Sequence, residues 1–365
     1  MRRMIVLYGG KSGEHEVSRI SAAGILGHFP RDEYDPIPIG IDRSGVWYLQ
    51  PPALAQLPFV PGEALPLVEG PRVFAAPGAG LFVESASGIQ PLPCDLVFPV
   101  LHGTFGEDGT IQGLLETINL PYVGAGVLGS AIGMDKEKAK ELWRGAGLPI
   151  VDFITVRRTD ADNPARLEAL LRRAEVRFGW PVFVKPACGG SSVGTSRVDG
   201  AEGFAAAVSE ALEWDRKALV EPFIQAREIE CSVLGNDHPV AFMPGEIIPS
   251  HTFYDYEAKY IDPHGAALVI PAGTTAAQSE KVRETAIAAY RACELSGMAR
   301  VDFFIDRRTG EVLLNEVNTI PGFTHISMYP RMCESGGLPY SRLIARLGDL
   351  AIERFQEAKS IRYER

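Results

Sequence analysis

Asp302, Glu316, Asn318 and Arg300 are the residues whose types and spacing promise the most chemistry in this chain. They fall in a stretch where two runs rich in Val, Phe, Ile and Leu flank Arg308-Thr309-Gly310. A glycine closing a short loop suits a three-residue hairpin turn that ends in a left-handed residue. With Arg307 paired to Glu311, such a turn sets Arg300 opposite Asn318 and Asp302 opposite Glu316 on one face. Val301, Phe303, Ile305, Leu313 and Val317 then take the other face. Two carboxylates facing each other across a ladder repel. A cation between them resolves the conflict, and hard oxygen ligands from Asp, Glu and Asn suit Mg²⁺ shared with substrate phosphates. The plainer alternative is a solvated edge hairpin, but that would more naturally pair Glu with Lys than Asp with Glu.

A second cluster, Gly189-Gly190-Ser191-Ser192-Val193-Gly194, follows an apolar run that ends in Lys185. Small residues let backbone N–H groups approach an anion, and the two hydroxyls add donors. Alone, a Gly/Ser-rich turn is more often only a turn. Lys185 and the acidic face supply the rest of what a nucleotide triphosphate requires. The spacing matches neither the G-x-x-x-x-G-K-[ST] loop nor the G-x-G-x-x-G dinucleotide turn.

The elements that must position these groups form three regions. The chain has 365 residues, which predicts two or three domains, and we expect boundaries at 1–133, 134–221 and 222–365. The first reads as an α/β unit: a strand at Ile5–Tyr8 enters Gly9-Gly10 and a helix from about Val17, and a strand at Asp95–Leu101 ends in the loop His102–Gly109. Both loops lie at strand C-termini, where open α/β sheets bind ligands. Between them, 51–93 is rich in Pro and Gly and reads as an irregular insertion with a small hairpin at Val73–Val83 and nothing catalytic. The second region alternates helices at Lys136–Arg144, Ala165–Phe178 and Glu202–Glu213 with strands at Phe153–Val156, Val182–Lys185 and Ala218–Glu221. Strands at Glu228–Leu234 and Val240–Ile248, a helix at Ala277–Leu295, the hairpin, and a last helix from Tyr340 make up the third. A net charge of −10 argues against nucleic acid or an anionic membrane as partner. Five dispersed cysteines indicate no disulfide framework or zinc site and suit a reducing cytoplasm. The N-terminal apolar run is too short for a signal peptide, and no run is long enough to span a bilayer.

Taken in order, eight motifs resemble the ATP-grasp ligases, and within them the D-alanine–D-alanine ligases, across nearly the whole chain apart from 51–93. They are Glu14-His15-Glu16-Val17-Ser18, the loop His102–Gly109, Met134-Asp135-Lys136, Lys185-Pro186, Gly190–Gly194, Phe253–Tyr260, Arg300-Val301-Asp302 and Asn315–Ser327. The resemblance implies an α/β, three-domain ATP-grasp fold, a Rossmann-like parallel sheet followed by two α+β domains enclosing ATP. It implies phosphate contacts from Lys136, Lys185, Ser191 and Ser192, adenine contacts at Glu221, Pro222, Phe223 and Ile224, and a ribose contact at Glu228. Asp302, Glu316 and Asn318 match ligands for two Mg²⁺ ions, with Mn²⁺ a possible substitute. Glu14, with His102 nearby, matches the group holding the first D-alanine's ammonium. Ser191 and Tyr260 match the links from Glu14 to a mobile loop, Lys259 and Ser327 the groups receiving the second D-alanine's carboxylate, and Arg300 with the Gly322 N–H the oxyanion stabilisers. A homodimer and a role in peptidoglycan precursor synthesis are further family expectations.

Such chemistry needs these groups because a carboxylate is a poor acyl donor until ATP converts it to an acyl phosphate, and that intermediate must be shielded from water. The segment Pro249–Gly265 is the candidate lid, and Tyr260 favours D-alanine over D-lactate as second substrate. Duller readings compete: Asp108 as a helix cap, His102 as a structural histidine, Glu14 as a partner of its helix dipole, and Tyr254 and Tyr256 as packing residues. Lys138 and Lys140 read as the solvated face of their helix, unlike Lys136. Cys188 and Gly189 depart from the larger residues common in relatives. Rival functions are a D-alanine–D-lactate or other carboxylate–amine ligase and a nucleotide-binding regulatory module. A dehydrogenase is more distant, since the first turn lacks the dinucleotide glycine spacing.

Overall fold

The computed structural model describes residues 1–249 and 266–362. The first sheet places β1 (Arg2–Gly9) in parallel between β2 (Tyr34–Ile41) and β7 (Leu96–Val100), with β3 (Trp47–Leu49) antiparallel at the edge. Met4 through Tyr8 are all fully buried, as expected of a central parallel strand covered on both faces. One face packs on α1 (His15–Gly27) and on α10 (Tyr340–Ser360), so the last helix of the chain closes the core of the first sheet. The other face packs on α2 (Thr110–Thr117) and on a small antiparallel sheet of β4 (Val73–Ala76), β5 (Gly80–Ser85) and β6 (Gly88–Pro91). The hairpin expected in 51–93 is therefore present with a third strand added. None of that stretch lines the cleft described below.

Helices α3 (Val127–Met134) and α4 (Lys136–Gly145) lead to the second sheet. There β10 (Ser196–Val198), β9 (Val182–Pro186), β11 (Lys217–Pro222) and β8 (Ile154–Arg157) run in that order, each antiparallel to its neighbour. After the short α5 (Arg158–Ala161), α6 (Pro164–Phe178) and α7 (Ala201–Trp214) cover one face, with Phe204, Val208 and Leu212 packed on Val182, Val184 and Val220.

The third sheet runs β15 (Ala266–Val269), β14 (Gly245–Pro249), β12 (Ala226–Leu234), β16 (Met298–Asp306), β17 (Val312–Asn318), and β13 (Val240–Ala241) pairs with β12. The single strand expected at Val240–Ile248 is split into β13 and β14 around Phe242–Pro244, where proline has no N–H for the ladder. Helix α8 (Ala276–Ala292) packs Val282, Ala286 and Tyr290 on the inner face of β12 and β16, and α9 (Met328–Ser335) follows the hairpin.

The hairpin itself corrects one expectation. Asp306 and Glu311 close the turn, with the Asp306 N–H bonded to the Glu311 carbonyl at 3.0 Å, so Arg307 does not pair with Glu311 and the loop holds Arg307 through Gly310. Phe303 then faces Leu314 and Ile305 faces Val312, one step away from the expected register. A bulge at Asn315 absorbs the extra residue, and beyond it Asp302 meets Glu316 and Arg300 meets Asn318. Val312 and Leu314 are buried while Leu313 is not, so Leu313 belongs to the other face. The paired carboxylates are as expected; the turn reaches them by a different route.

Candidate functional site

The second and third sheets, with the loops that follow β1 and β7 of the first, line one cleft with a cavity of about 580 Å³. Every described residue singled out above as a site candidate lines it. Lys259, Tyr260 and the tyrosines of the expected lid, Tyr254 and Tyr256, lie outside the described residues.

The acidic wall comes from the hairpin. Arg300 grips Asp302 with two parallel bonds, Nε to Oδ1 at 2.8 Å and Nη2 to Oδ2 at 2.7 Å, and its Nε lies 3.2 Å from Glu230 Oε2. Asn318 Nδ2 donates to Asp302 Oδ2 at 2.9 Å. Across the ladder, Glu316 Oε2 lies 3.3 Å from Lys136 Nζ. Burial of Val301, Phe303 and Ile305 beneath stabilises this geometry by roughly 1.5–3 kcal/mol per side chain. Two carboxylates and an amide form a partial set of hard oxygen ligands, the kind that Mg²⁺ completes with phosphate oxygens and water.

Lys136 opens α4, whose N-terminus is capped by Asp135 accepting from the Glu137 and Lys138 N–H groups. Asp135 is held in turn by Lys217 at 2.5 Å, which also meets Glu137 at 2.7 Å. Lys136 Nζ donates to the Gly189 carbonyl at 2.6 Å, tying the helix to the glycine-rich loop. Burial works against its charge, yet Glu316 and Glu221 lift its pKa above the ordinary lysine value. Within that loop Ser191 and Ser192 are consecutive residues in the left-handed region, φ 52° and 60°, a strained shape of the kind found at ligand clamps.

Lys185 on β9 reaches Glu221 Oε2 on β11 at 2.7 Å and Asn315 Oδ1 at 3.3 Å. Asn315 had no assigned role in the sequence reading. The signal was there: two polar residues separate core Leu314 from core Val317, a break in alternation that marks a bulge. Glu221, expected at the adenine, is 3% exposed, with its carboxylate between Lys185 and Lys140. Lys140 overturns the solvated-face reading. It is fully buried, because the face it shares with Lys136 packs against the cleft wall rather than against water. Lys138 is exposed as expected. Further along, the rings of Phe183 and Phe223 lie 5.9 Å apart and tilted by 42°, and with Pro222 and Ile224 they give the cleft an apolar wall, while Glu228 lies on β12, the next strand in the chain.

The remaining wall is built from the segments that follow β1 and β7 of the first sheet. Glu14 sits at the start of α1 without capping it, and its Oε1 accepts from Ser191 Oγ at 2.5 Å. Two glycines allow this approach: a Cβ on Gly103 would sit 2.5 Å, and one on Gly190 3.0 Å, from Glu14 Oε2. His102 is buried with Nδ1 3.0 Å from the Ile320 carbonyl, which places the proton on that nitrogen and leaves Nε2 to accept from Ser21 Oγ at 2.9 Å. Burial lowers its pKa, so the ring is neutral. His102 is thus hydrogen-bonded through both ring nitrogens, at a position that also borders the cleft. Asp108 binds the Thr110 N–H at 3.0 Å, close to its expected capping role.

Glu107 went unassigned in the sequence. Its Oε1 accepts from the Ile320 N–H at 2.9 Å and its Oε2 from the Gly103 N–H at 3.0 Å. With His102, it takes both backbone groups of Ile320, and so anchors the loop that carries Gly322 and Ser327. Ser327 Oγ accepts from the Thr324 N–H at 2.9 Å. Burial, and secondarily the charge of Glu14, push the Glu107 pKa to about 7.

A parallel-sheet unit and two antiparallel-sheet units around a cleft lined by lysines, a glycine-rich loop and paired acids make this an ATP-grasp fold. Family models agree on which branch. The model described as D-ala D-ala ligase N-terminus matches residues 3–125, and that described as D-ala D-ala ligase C-terminus matches residues 142–349. A D-alanine–D-alanine ligase of Treponema denticola is 50% identical over 360 residues, 98% of each chain. One from Thermoanaerobacter sp. is 48% identical, again over 98% of each. Among solved structures, the D-alanine–D-alanine ligase from Coxiella burnetii matches with a TM-score of 0.84 and 38% identity over 99% of this chain and 98% of that one. The VanG D-Ala:D-Ser ligase from Enterococcus faecalis matches with a TM-score of 0.81 and 35% identity over 96% and 99%. The chain belongs to the D-Ala–D-Ala ligase family, a family of ATP-dependent enzymes.

Proposed function

We propose that this chain joins two D-alanine molecules, releasing ADP and phosphate, in the synthesis of a peptidoglycan precursor. One observation carries the reading: the lysines, the paired acids of the hairpin, the glycine-rich loop and Glu14 all meet in a single cleft. The first D-alanine's ammonium sits at Glu14, and its carboxylate oxygen attacks the γ-phosphorus of ATP as ADP leaves. Lys136, Lys185 and the donors of Ser191 and Ser192 hold the phosphates, with the base against Phe223 and Ile224 and the ribose near Glu228. Asp302, Glu316 and Asn318 would hold Mg²⁺, or Mn²⁺ in its place, which would supply neutralisation of the charge that builds on the phosphates. The second amino acid's amine then attacks the acyl carbon, losing a proton, while Arg300 and the Gly322 N–H receive the developing oxyanion and phosphate departs. Ser327 and Lys259 take the second carboxylate, with Tyr260 linking the lid to Ser191 and Glu14.

The same reading divides the chain at 133 and 221, makes it a homodimer, and places it in the cytoplasm; among the described residues no helix is long and apolar enough to cross a membrane. The test is incubation with ATP, Mg²⁺ and D-alanine, with mass detection of the dipeptide and assay of released phosphate. ATP turnover without dipeptide would defeat the reading. The likeness to a D-Ala:D-Ser ligase gives weight to a second acceptor, so the panel includes D-serine and D-lactate.

A further inference from the structure

Lys140 is a cation in a place where a cation is costly. Its side chain is fully buried, one helical turn beyond Lys136 on α4. Its Nζ lies 2.9 Å from Glu221 Oε1 and donates to the Val151 carbonyl at 3.1 Å. The other carboxylate oxygen of Glu221 lies 2.7 Å from Lys185 Nζ, and Lys185 lines the cleft. Two ammonium groups thus share one carboxylate, and the buried set carries a net positive charge. A position that only filled space would be served at less cost by an apolar side chain of similar volume. The arrangement has an electrostatic effect at Lys185 instead. Facing Glu221 alone, Lys185 would be neutralised and held back from an incoming anion. With Lys140 drawing on the same carboxylate, the surplus charge stays directed at the cleft.

We propose that Lys140 is a positioning residue for the nucleotide: by sharing Glu221 it leaves Lys185 able to engage the phosphates. The inference rests on the reading of Lys185 as a phosphate ligand, and its test therefore reads nucleotide binding rather than dipeptide synthesis. Titration calorimetry with ADP and Mg²⁺ compares the unaltered chain with Lys140→Met, Lys140→Gln, Glu221→Gln and the double variant Lys140→Met/Glu221→Gln, with thermal unfolding followed for each. Lys140→Met should weaken ADP binding about tenfold or more, which corresponds to the loss of one well-placed charge. Lys140→Gln, which keeps a hydrogen-bonding head but no charge, should do the same. The double variant, with no unshared carboxylate left beside Lys185, should recover most of the affinity. In steady state KM for ATP should rise while kcat at saturating ATP stays within about threefold. Folded single variants that bind ADP like the unaltered chain, or a double variant no tighter than Lys140→Met, would overturn the proposal. No ADP binding by the unaltered chain would overturn the nucleotide reading itself and this inference with it.

Discussion

Glu221 and Glu107 stand in opposite walls of the cleft, and burial raises the pKa of both, yet they end with opposite shifts. At Glu221 burial is outweighed by Lys140 and Lys185, and the carboxyl titrates below its ordinary value. At Glu107 burial is reinforced by the neighbouring charge of Glu14, and the two backbone N–H donors do not offset it; the carboxyl rises to about 7. Burial is common to both, so the difference teaches that the partner charges decide whether an enclosed acid in this cleft ends above or below its ordinary value. The wall of the second and third sheets is a fixed array of charges suited to a triphosphate and its cations. The wall of the first sheet is a hydrogen-bonded clamp whose acid is poised between charged and neutral forms.

Neutralising an acid in the fixed array should have the largest effect. Glu316→Gln removes the carboxylate opposite Asp302 and the partner of Lys136, and ATP-dependent ligation should fall by about a thousandfold or more with the fold intact. Circular dichroism and phosphate release measured together check this, and retention of most activity would erase the contrast between the walls. At Glu107 the expected effect is on stability. A carboxyl whose folded pKa is raised from 4.5 to about 7 favours folding at acid pH, and that contribution is lost progressively as the pH rises across this window. The unfolding free energy of the unaltered chain minus that of Glu107→Gln should therefore fall by about 2 kcal/mol between roughly pH 5 and pH 8, a figure discounted because the side chain is not fully enclosed. A difference that stays level with pH would show that Glu107 is ionised like any surface acid.

Ser191→Ala probes the seam between the walls, since Ser191 Oγ bridges the glycine-rich loop to Glu14. Loss of one hydrogen bond to a charged acceptor should lower kcat/KM for D-alanine about tenfold, while ADP binding changes less. The smallest effect belongs to Lys138→Ala. Lys138 is exposed, its pair with Glu141 at 2.8 Å is of the surface kind, and the buried Glu137, 3.6 Å from it, keeps Lys217 and Arg157 as closer partners. Denaturant titration should show a change below about 0.5 kcal/mol, against which the consequences of altering Lys140, two residues away, can be judged.

Which parts of the site were legible in the sequence follows from the reach of local patterning. The opposition of Asp302 and Glu316 was reached from a turn one residue too short and holds because the bulge at Asn315 restores the register, whereas the order of the motifs was enough to indicate the ATP-grasp class. The turn was misjudged because Gly310 suits a three- or a four-residue loop equally well, and only the pairing of Asp306 with Glu311 selects between them. Glu107 was missed because the partner that gives it a role, Ile320, lies 213 residues further along the chain, while its other partner, Gly103, is in its own loop.

By itself the sequence determined the period of each strand and helix, the chemistry available at each turn, and hence which acids, lysines and small residues could serve one reaction. Only the tertiary structure decided which of those side chains face water. Lys136, Lys138 and Lys140 lie on one short helix, and helical spacing sets their relative directions without saying which direction meets a wall. The packing of α4 against the second and third sheets answers that question. It turns Lys140 from a surface charge into a buried one, because burial depends on which surfaces come together and not on local spacing alone.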